Sequence, residues 1–362
     1  MSGERIVVGL SGGVDSAVAA LRLKRAGYDV HGLFMSNWEE DDVFCMAARD
    51  YQDARQVCEE LSIPLHRVSF AAQYRQRVFD YFLREYQAGR TPNPDVLCNR
   101  EIKFGVCLDY AARLGAQKFA TGHYARVVGA GTAETAQLHK AADADKDQSY
   151  FLHAITREAL ARTLFPLSDV SKPEVRAEAR AAGLPVFDKP DSTGICFIGE
   201  RPFRAFLQQY LPSKPGPIIT AQGRSVGEHV GLAFYTLGQR AGLAIGGQRG
   251  ADETPWYVAR KDAARNELIV VQGHDHSLLQ SQRMYASDLH WLVPAPQVTT
   301  AVHAKVRYRQ ADQQAMLEPA ADGSVKVHFE AVQRAVTPGQ FAVFYAGTRC
   351  IGGGTIEHVD PL

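Results

Sequence analysis

Hydrophobic and polar positions follow two alternating periods through the first part of the chain. Residues 5–10, RIVVGL, form an apolar run with the length of a strand buried on both faces. Residues 14–25 then place apolar side chains at helical spacing, and Gly27 follows where a helix C-cap is expected. The pattern predicts further strands at 30–35, 65–70 and 118–121, with helices at 43–61 and 74–87. Strands alternating with helices imply a doubly wound parallel sheet, which binds its ligand at the carboxyl ends of the strands. Between residues 124 and 140 two short extended runs around Gly129, Ala130 and Gly131 predict a hairpin inserted into this alternation. Helices are predicted again at 148–161, 172–182 and 202–210, with a turn-rich loop at 188–200.

Residues 212–217, PSKPGP, are rich in helix breakers and mark a first domain boundary. Beyond them, short extended runs are separated by Gly, Asp and Asn, with little helical periodicity. The expected architecture is an α/β domain at 1–211, a small β-rich domain at 212–280 and a β-barrel at 281–362.

Composition narrows this picture without redirecting it. A chain of 362 residues with 46% hydrophobic and 22% charged residues suits several globular domains. No apolar run approaches the roughly 18 residues of a membrane span, and MSGERIVVGL lacks a secretory signal. A cytoplasmic protein without a membrane partner is expected. Lys+Arg and Asp+Glu both number 40, so net charge gives no argument for a nucleic-acid partner. The 6 cysteines show no C-x-x-C pair and no zinc-site spacing, so no structural metal is expected.

Candidate chemistry begins at GLSGGVDS, residues 9–16, between the first strand and the first helix. Backbone amides and a helix N-terminus there favour a phosphate. Gly12 and Gly13 permit close approach, Ser11 and Ser16 supply hydroxyls, and Asp15 is a candidate for Mg²⁺ on a pyrophosphate. The G-x-x-x-x-G-K-[ST] and G-x-G-x-x-G patterns are absent, which removes the common nucleotide-loop readings.

Two cysteines stand in suggestive loops. Cys98 lies in TPNPDVLCNREIKF, where the prolines suggest extended backbone before a helix beginning near Arg100. A helix N-terminus, Arg100 and Lys103 would favour its thiolate, and Asp95 is a candidate proton acceptor. Cys107 falls deeper in that helix and is assigned to the core. Cys196 lies in STGICFIGE, a Gly-flanked loop. Each of these residues also has an ordinary reading as a buried thiol or a surface side chain.

SGGVDS resembles the PP-loop of the ATP pyrophosphatases, whose fold is an adenine nucleotide alpha hydrolase-like sheet. With NPDVLCN, STGICFIGE, GHYA (122–125), KDQSYFL (146–152), FYTLGQR (234–240) and RYRQ (307–310), the chain resembles the tRNA-specific 2-thiouridylases along nearly its whole length. That resemblance implies ATP-dependent 2-thiolation of the wobble uridine of tRNA. Cys196 would carry a persulfide, Cys98 would be the partner nucleophile able to form a disulfide with it, and Asp95 would handle protons. ATP, carried with Mg²⁺, would meet Gly9, Leu10, Ser11, Gly12 and Gly13, then Val14, Asp15 and Ser16, together with Met35 and Gly122. Asn93, Pro94 and Asp95 would meet the target base. His123, Lys146, Asp147 and Gln148, with Arg307, Tyr308 and Gln340, would contact tRNA. The implied partners are tRNA and a sulfur-donor protein, either a persulfide relay or a cysteine desulfurase. Two rivals remain: a PP-loop ligase that accepts nitrogen, and a nucleotide-dependent RNA-binding module whose cysteines form only a regulatory disulfide.

Overall fold

The computed structural model describes residues 3–38, 47–191, 203–245 and 254–362. Strands β1 (Arg5–Gly9), β2 (Asp29–Ser36), β3 (Leu65–Ser69) and β4 (Lys118–Thr121) are followed by the hairpin β5 (Arg126–Val128) and β6 (Gln137–His139), then β7 (Thr163–Leu164). Five of them form a parallel sheet in the order β3-β2-β1-β4-β7. The chain builds outward from β1 through β2 to β3, then returns to the other side of β1 for β4. That reversal makes a crevice at the carboxyl ends of β1 and β4, the usual ligand position in such sheets.

Helices cover both faces because β1 alternates its side chains between two apolar layers. Ile6 and Val8 join a layer with α1 (Val14–Arg25) and α2 (Ala47–Glu60). Val7 faces the opposite layer, formed in part by α3 (Ala71–Tyr74), α4 (Asp80–Gln87), α5 (Pro94–Leu97) and α6 (Leu108–Arg113). Helix α1 ends as its glycine predicts: Gly27 adopts φ +87, and the Tyr28 amide donates to Leu23 O at 3.3 Å.

Two helix predictions need correction. The run at 148–161 is split into α7 (Ser149–Leu152) and α8 (Arg157–Ala161), because Thr156 starts a new helix by accepting the Ala159 amide at 3.1 Å. The Cys98 helix begins at Pro94, ahead of the Arg100 start expected from the prolines. Asn93 caps it by accepting the Asp95 amide at 3.2 Å, and Pro94 takes the first helical position, where no amide is needed. A π-helical stretch, Cys98–Cys107, continues from α5 into α6. The domain is completed by α9 (Lys172–Ala181) and α10 (Phe203–Leu207).

The remaining chain is β-rich. Strands β8 (Gly216–Thr220), β9 (Ser225–His229), β10 (Trp256–Asp262) and β11 (Glu267–Gln272) form one sheet in the order β10-β11-β8-β9. Strands β12 (Gln280–Trp291), β13 (Thr300–Lys305), β14 (Gln313–Pro319), β15 (Val325–Arg334), β16 (Phe341–Ala346) and β17 (Arg349–Pro361) close into a barrel through the pairing of β12 with β17. Where β12 leaves β17 at Gly352, the inserted hairpin takes over, with His139 opposite Arg349. Lys140 strengthens this join through an ion pair with Asp312. Tyr150 donates its hydroxyl to Phe341 O at 2.9 Å, and His290 donates to Ile155 O at 2.8 Å. Among the described residues, no helix is long and apolar enough to cross a membrane.

Candidate active site

The phosphate-loop candidate occupies the crevice at β1. Gly12 adopts φ +73, and a Cβ there would lie 2.4 Å from Asp50 O, so only glycine fits. Gly13 is the N-cap of α1 and offers no side chain, leaving the first helical amides to the loop itself. Ser16 Oγ accepts from the Ser11 amide at 3.2 Å and donates to Gly13 O at 3.1 Å. Leu10 and Val14 turn their side chains into the core, so only their main chain belongs to the loop. Gly9 packs on Phe119. Gly122, at the end of β4, comes so near that a Cβ would sit 2.6 Å from Ser16 N. Met35 is half-buried near the end of β2, paired in register with Val68.

Asp15 has partners that lie far away in sequence. Both its carboxylate oxygens accept from Lys172 Nζ at 2.7 Å, and Tyr124 donates to Oδ1 at 2.9 Å. An ammonium already satisfies this carboxylate, so Asp15 does not fit the Mg²⁺-ligand role expected for it. Among the described residues, no cluster of three His, Cys, Asp or Glu suits a metal. Lys172 also pairs with Asp191 at 2.7 Å, which in turn meets Lys146 at 2.8 Å and Arg176 at 3.0 Å. Burial works against the Asp191 charge, but Lys146 and Lys172 prevail and hold its carboxyl down at about 2. Lys189 donates to Gly12 O at 3.0 Å and pairs with Asp50 at 2.7 Å and with Asp53. Lys172, Lys189 and Asp191 were absent from the sequence reading. Lys172 opens a predicted helix, and Lys189 and Asp191 fall in the turn-rich loop at 188–200, but neither pattern reports which distant groups they meet.

The Cys98 segment reaches the same end of the sheet. Phe104 lies 5.9 Å from the His123 ring, which directly follows Gly122. Burial, and then the nearby Lys103 charge, push the His123 imidazole well below its usual range, so it is neutral. His123 Nδ1 shares a hydrogen bond with Thr121 Oγ1 at 2.8 Å. Burial raises the Asp95 carboxyl, and Lys103 opposes that rise. Lys103 therefore acts on both Asp95 and His123.

Cys98 is 5% exposed and lies beyond the first turn of its helix. Its amide bonds to Pro94 O and Asp95 O, so the free N-terminal amides expected around this thiol are not at Cys98 itself. Cys107 is fully buried, as expected, and its thiol is pushed up to about 12 by desolvation. Cys58, Cys107 and Cys350 are free thiols. Cys196 lies outside the described residues.

The remaining candidates gather where the α/β domain meets the barrel. Gln148 grips Tyr124 twice: its amide donates to Tyr124 O at 2.7 Å, and its Oε1 accepts the Tyr124 amide at 3.0 Å. Asp147 is 4% exposed and accepts from the Ala141 amide at 3.0 Å and from Ser149 Oγ at 2.8 Å. Ser149 in turn meets Tyr345 Oη of the barrel at 3.1 Å. The Tyr308 ring lies 4.4 Å from Phe151. Arg307 is exposed but donates to Ala335 O at 2.7 Å, and Gln340 donates to Thr91 O at 2.8 Å. KDQSYFL is thus largely a joint between domains.

Comparison with known proteins covers the whole chain. The chain is 58% identical over 357 residues to the tRNA-specific 2-thiouridylase MnmA of Dichelobacter nodosus, spanning 98% of this chain and 94% of that one. The chain belongs to the tRNA-specific 2-thiouridylase family. Other family members include those of Halorhodospira halophila, 56% identical over 99% of this chain and 95% of theirs, and Methylibium petroleiphilum, 54% identical over 98% of each. Three family models match in succession: a tRNA methyl transferase HUP domain at 4–200, a tRNA methyl transferase PRC-barrel domain at 204–272 and an aminomethyltransferase beta-barrel domain at 281–356. Within this family the α/β domain, the central sheet and the closed barrel follow one another as the sequence pattern implied.

Proposed function

We propose that this protein uses ATP to replace the C2 oxygen of the wobble uridine of tRNA with sulfur, forming 2-thiouridine, AMP and pyrophosphate in the cytoplasm. In this reading the uridine C2 oxygen attacks the α-phosphorus of ATP, and pyrophosphate leaves. The terminal sulfur of a persulfide on Cys196 then adds at C2, either directly or after Cys98 has released it as hydrosulfide. Cys98 attacks the Cys196 sulfur, the S–S bond to the transferred atom breaks, and AMP departs as the C2–sulfur double bond forms. A Cys98–Cys196 disulfide remains, to be reduced by a thiol, and a sulfur-donor protein reloads Cys196. Asp95 exchanges the protons. Its raised pKa suits that work, because proton transfer is most efficient near the working pH.

The observation that best supports this reading is the packing of Phe104 on His123. It brings the Asn93, Pro94, Asp95 and Cys98 segment to the strand end whose Gly122 touches the phosphate loop. Amides and hydroxyls of Ser11 and Ser16 would meet the phosphates, with Lys172 and Lys189 as the nearby cations. Mg²⁺ would arrive on the phosphate oxygens of ATP, with no protein ligand assigned. Lys146, Arg307 and Tyr308, with Gln148, would supply charge and a stacking face for RNA at the domain joint, and His123 would meet tRNA at the end of β4. Asp147 and Gln340 would serve by shaping that joint, since their polar atoms already have protein partners.

The deciding experiment is mass analysis of tRNA nucleosides after incubation with ATP, Mg²⁺ and a sulfur donor. Appearance of 2-thiouridine at the wobble position, with one AMP and one pyrophosphate per product, is expected. A nitrogen-containing product, or nucleotide binding without pyrophosphate release, rejects the reading in favour of a ligase or a binding module.

A further inference from the structure

Residues 89–91 connect α4 to the Asn93 cap, yet their main chain is gripped by the two β-rich domains. Gly89 O accepts from Lys261 Nζ of β10 at 2.9 Å. The Thr91 amide donates to Pro338 O at 3.0 Å, and Thr91 O accepts from Gln340, both from the barrel. Gly339, at φ +90, permits this approach, since a Cβ there would lie 2.8 Å from Thr91 N. Arg90 ties the join together. Its Nε donates to Glu85 Oε2 of α4 at 2.6 Å, and its Nη1 donates to Glu357 Oε2 of β17 at 3.1 Å. Glu85 is 5% exposed, and Glu357 is held in place by Ser287 Oγ at 2.8 Å. Only Pro92 separates Thr91 from the helix cap at Asn93, and Pro94 follows it. Fixed proline φ angles leave little freedom to absorb a displacement before Asp95 and Cys98.

We infer that Arg90 is a positioning residue: it locks residues 89–91 to the barrel, so that the barrel sets the placement of Asp95 and Cys98. The catalytic part of this inference rests on the proposed thiolation, whereas the mechanical part does not. The test uses the full-length protein carrying Arg90→Ala, Arg90→Lys or Glu357→Gln. Three quantities are read: tRNA saturation kinetics of 2-thiouridine formation, the iodoacetamide alkylation rate of Cys98 by peptide mass analysis, and the melting temperature. Arg90→Ala and Glu357→Gln should lower kcat by about tenfold or more, with the KM for tRNA shifting less than about threefold. Cys98 alkylation should accelerate by a similar factor, and Arg90→Lys should fall between these variants and the wild type.

Should Arg90→Ala fail to fold, Glu357→Gln poses the same question from the barrel, 267 positions from Arg90. Unchanged kcat and unchanged Cys98 alkylation in folded Glu357→Gln overturn the inference. So does a loss confined to KM, which would make Arg90 an RNA contact. If the wild type forms no 2-thiouridine, the proposed function fails by itself, and the alkylation rates still decide whether the barrel positions Cys98.

Discussion

Replacing Asp15 by Asn removes one of two carboxylates that hold the Lys172 ammonium. Lys172 is 8% exposed and keeps Asp191 as its other partner, so the variant does not strand a bare buried charge. Two unit charges about 4 Å apart attract by about 4 kcal/mol at the effective dielectric of a protein surface. The Asp15 side chain is 32% exposed, and solvent screening and desolvation reduce the net loss to about 1–2 kcal/mol. For a domain of this size that corresponds to a fall of about 2–8 °C in melting temperature. The catalytic loss should be far larger, about a hundredfold in tRNA-dependent pyrophosphate release, because Asp15 fixes the Lys172 cation beside the phosphate loop. Lys172→Met should lose activity to a similar degree. The assay is a double-mutant cycle read by calorimetry and by pyrophosphate release. The double variant should be barely worse than either single one in both readouts. Strictly additive effects, or full pyrophosphate release by folded Asp15→Asn, would refute the reasoning.

Other expectations follow from single contacts. His153 is 1% exposed, and desolvation takes its imidazole down to about 4 from an ordinary 6.5. Folded-state stability is therefore complete above pH 6.5 and falls by up to about 3 kcal/mol as pH drops toward 4; urea midpoints should show a shallower acid slope in His153→Gln. Gly122→Ala puts a methyl against the Ser16 amide, so ATP-dependent pyrophosphate release should drop by about tenfold or more, as measured with a coupled pyrophosphate assay. Asp95→Asn removes a carboxylate whose ionisation the fold opposes, so it should melt above the wild type at pH 8 and lose that advantage at pH 4. With labelled persulfide sulfur, Cys98→Ser should still accept label yet make no thiolated tRNA, while Cys196→Ser should accept no transferable sulfur; peptide and nucleoside mass analysis separate the two outcomes.

Much of the α/β domain was legible because its signals are local. The run at 5–10, the glycines at 12 and 13 and the helical spacing at 14–25 each constrain a few neighbouring residues, and each element formed where the pattern put it. Cys107 was assigned to the core by the same logic. The start of the Cys98 helix was misjudged because a proline suits both extended backbone and a first helical turn, and the Asn93 cap decides between them. The Lys172 partner of Asp15 lies 157 positions away, and no periodicity reports such a contact. The motif at 146–152 suggested RNA contact by resemblance. Its buried Asp147, and a Tyr150 hydroxyl committed to Phe341, show that part of that pattern serves the joint with the barrel.

The pairing of His139 with Arg349 also bears on the order in which the chain is made. Those residues are 210 positions apart, so at typical translation speeds the hairpin leaves the ribosome about 10–40 s before the strand that receives it. During that interval its outer edge has no partner. Each hairpin strand is only 3 residues long, too short to template a foreign strand firmly. The nascent α/β domain can thus carry its half of the barrel joint in the open without inviting aggregation, and a strand synthesised much later completes it.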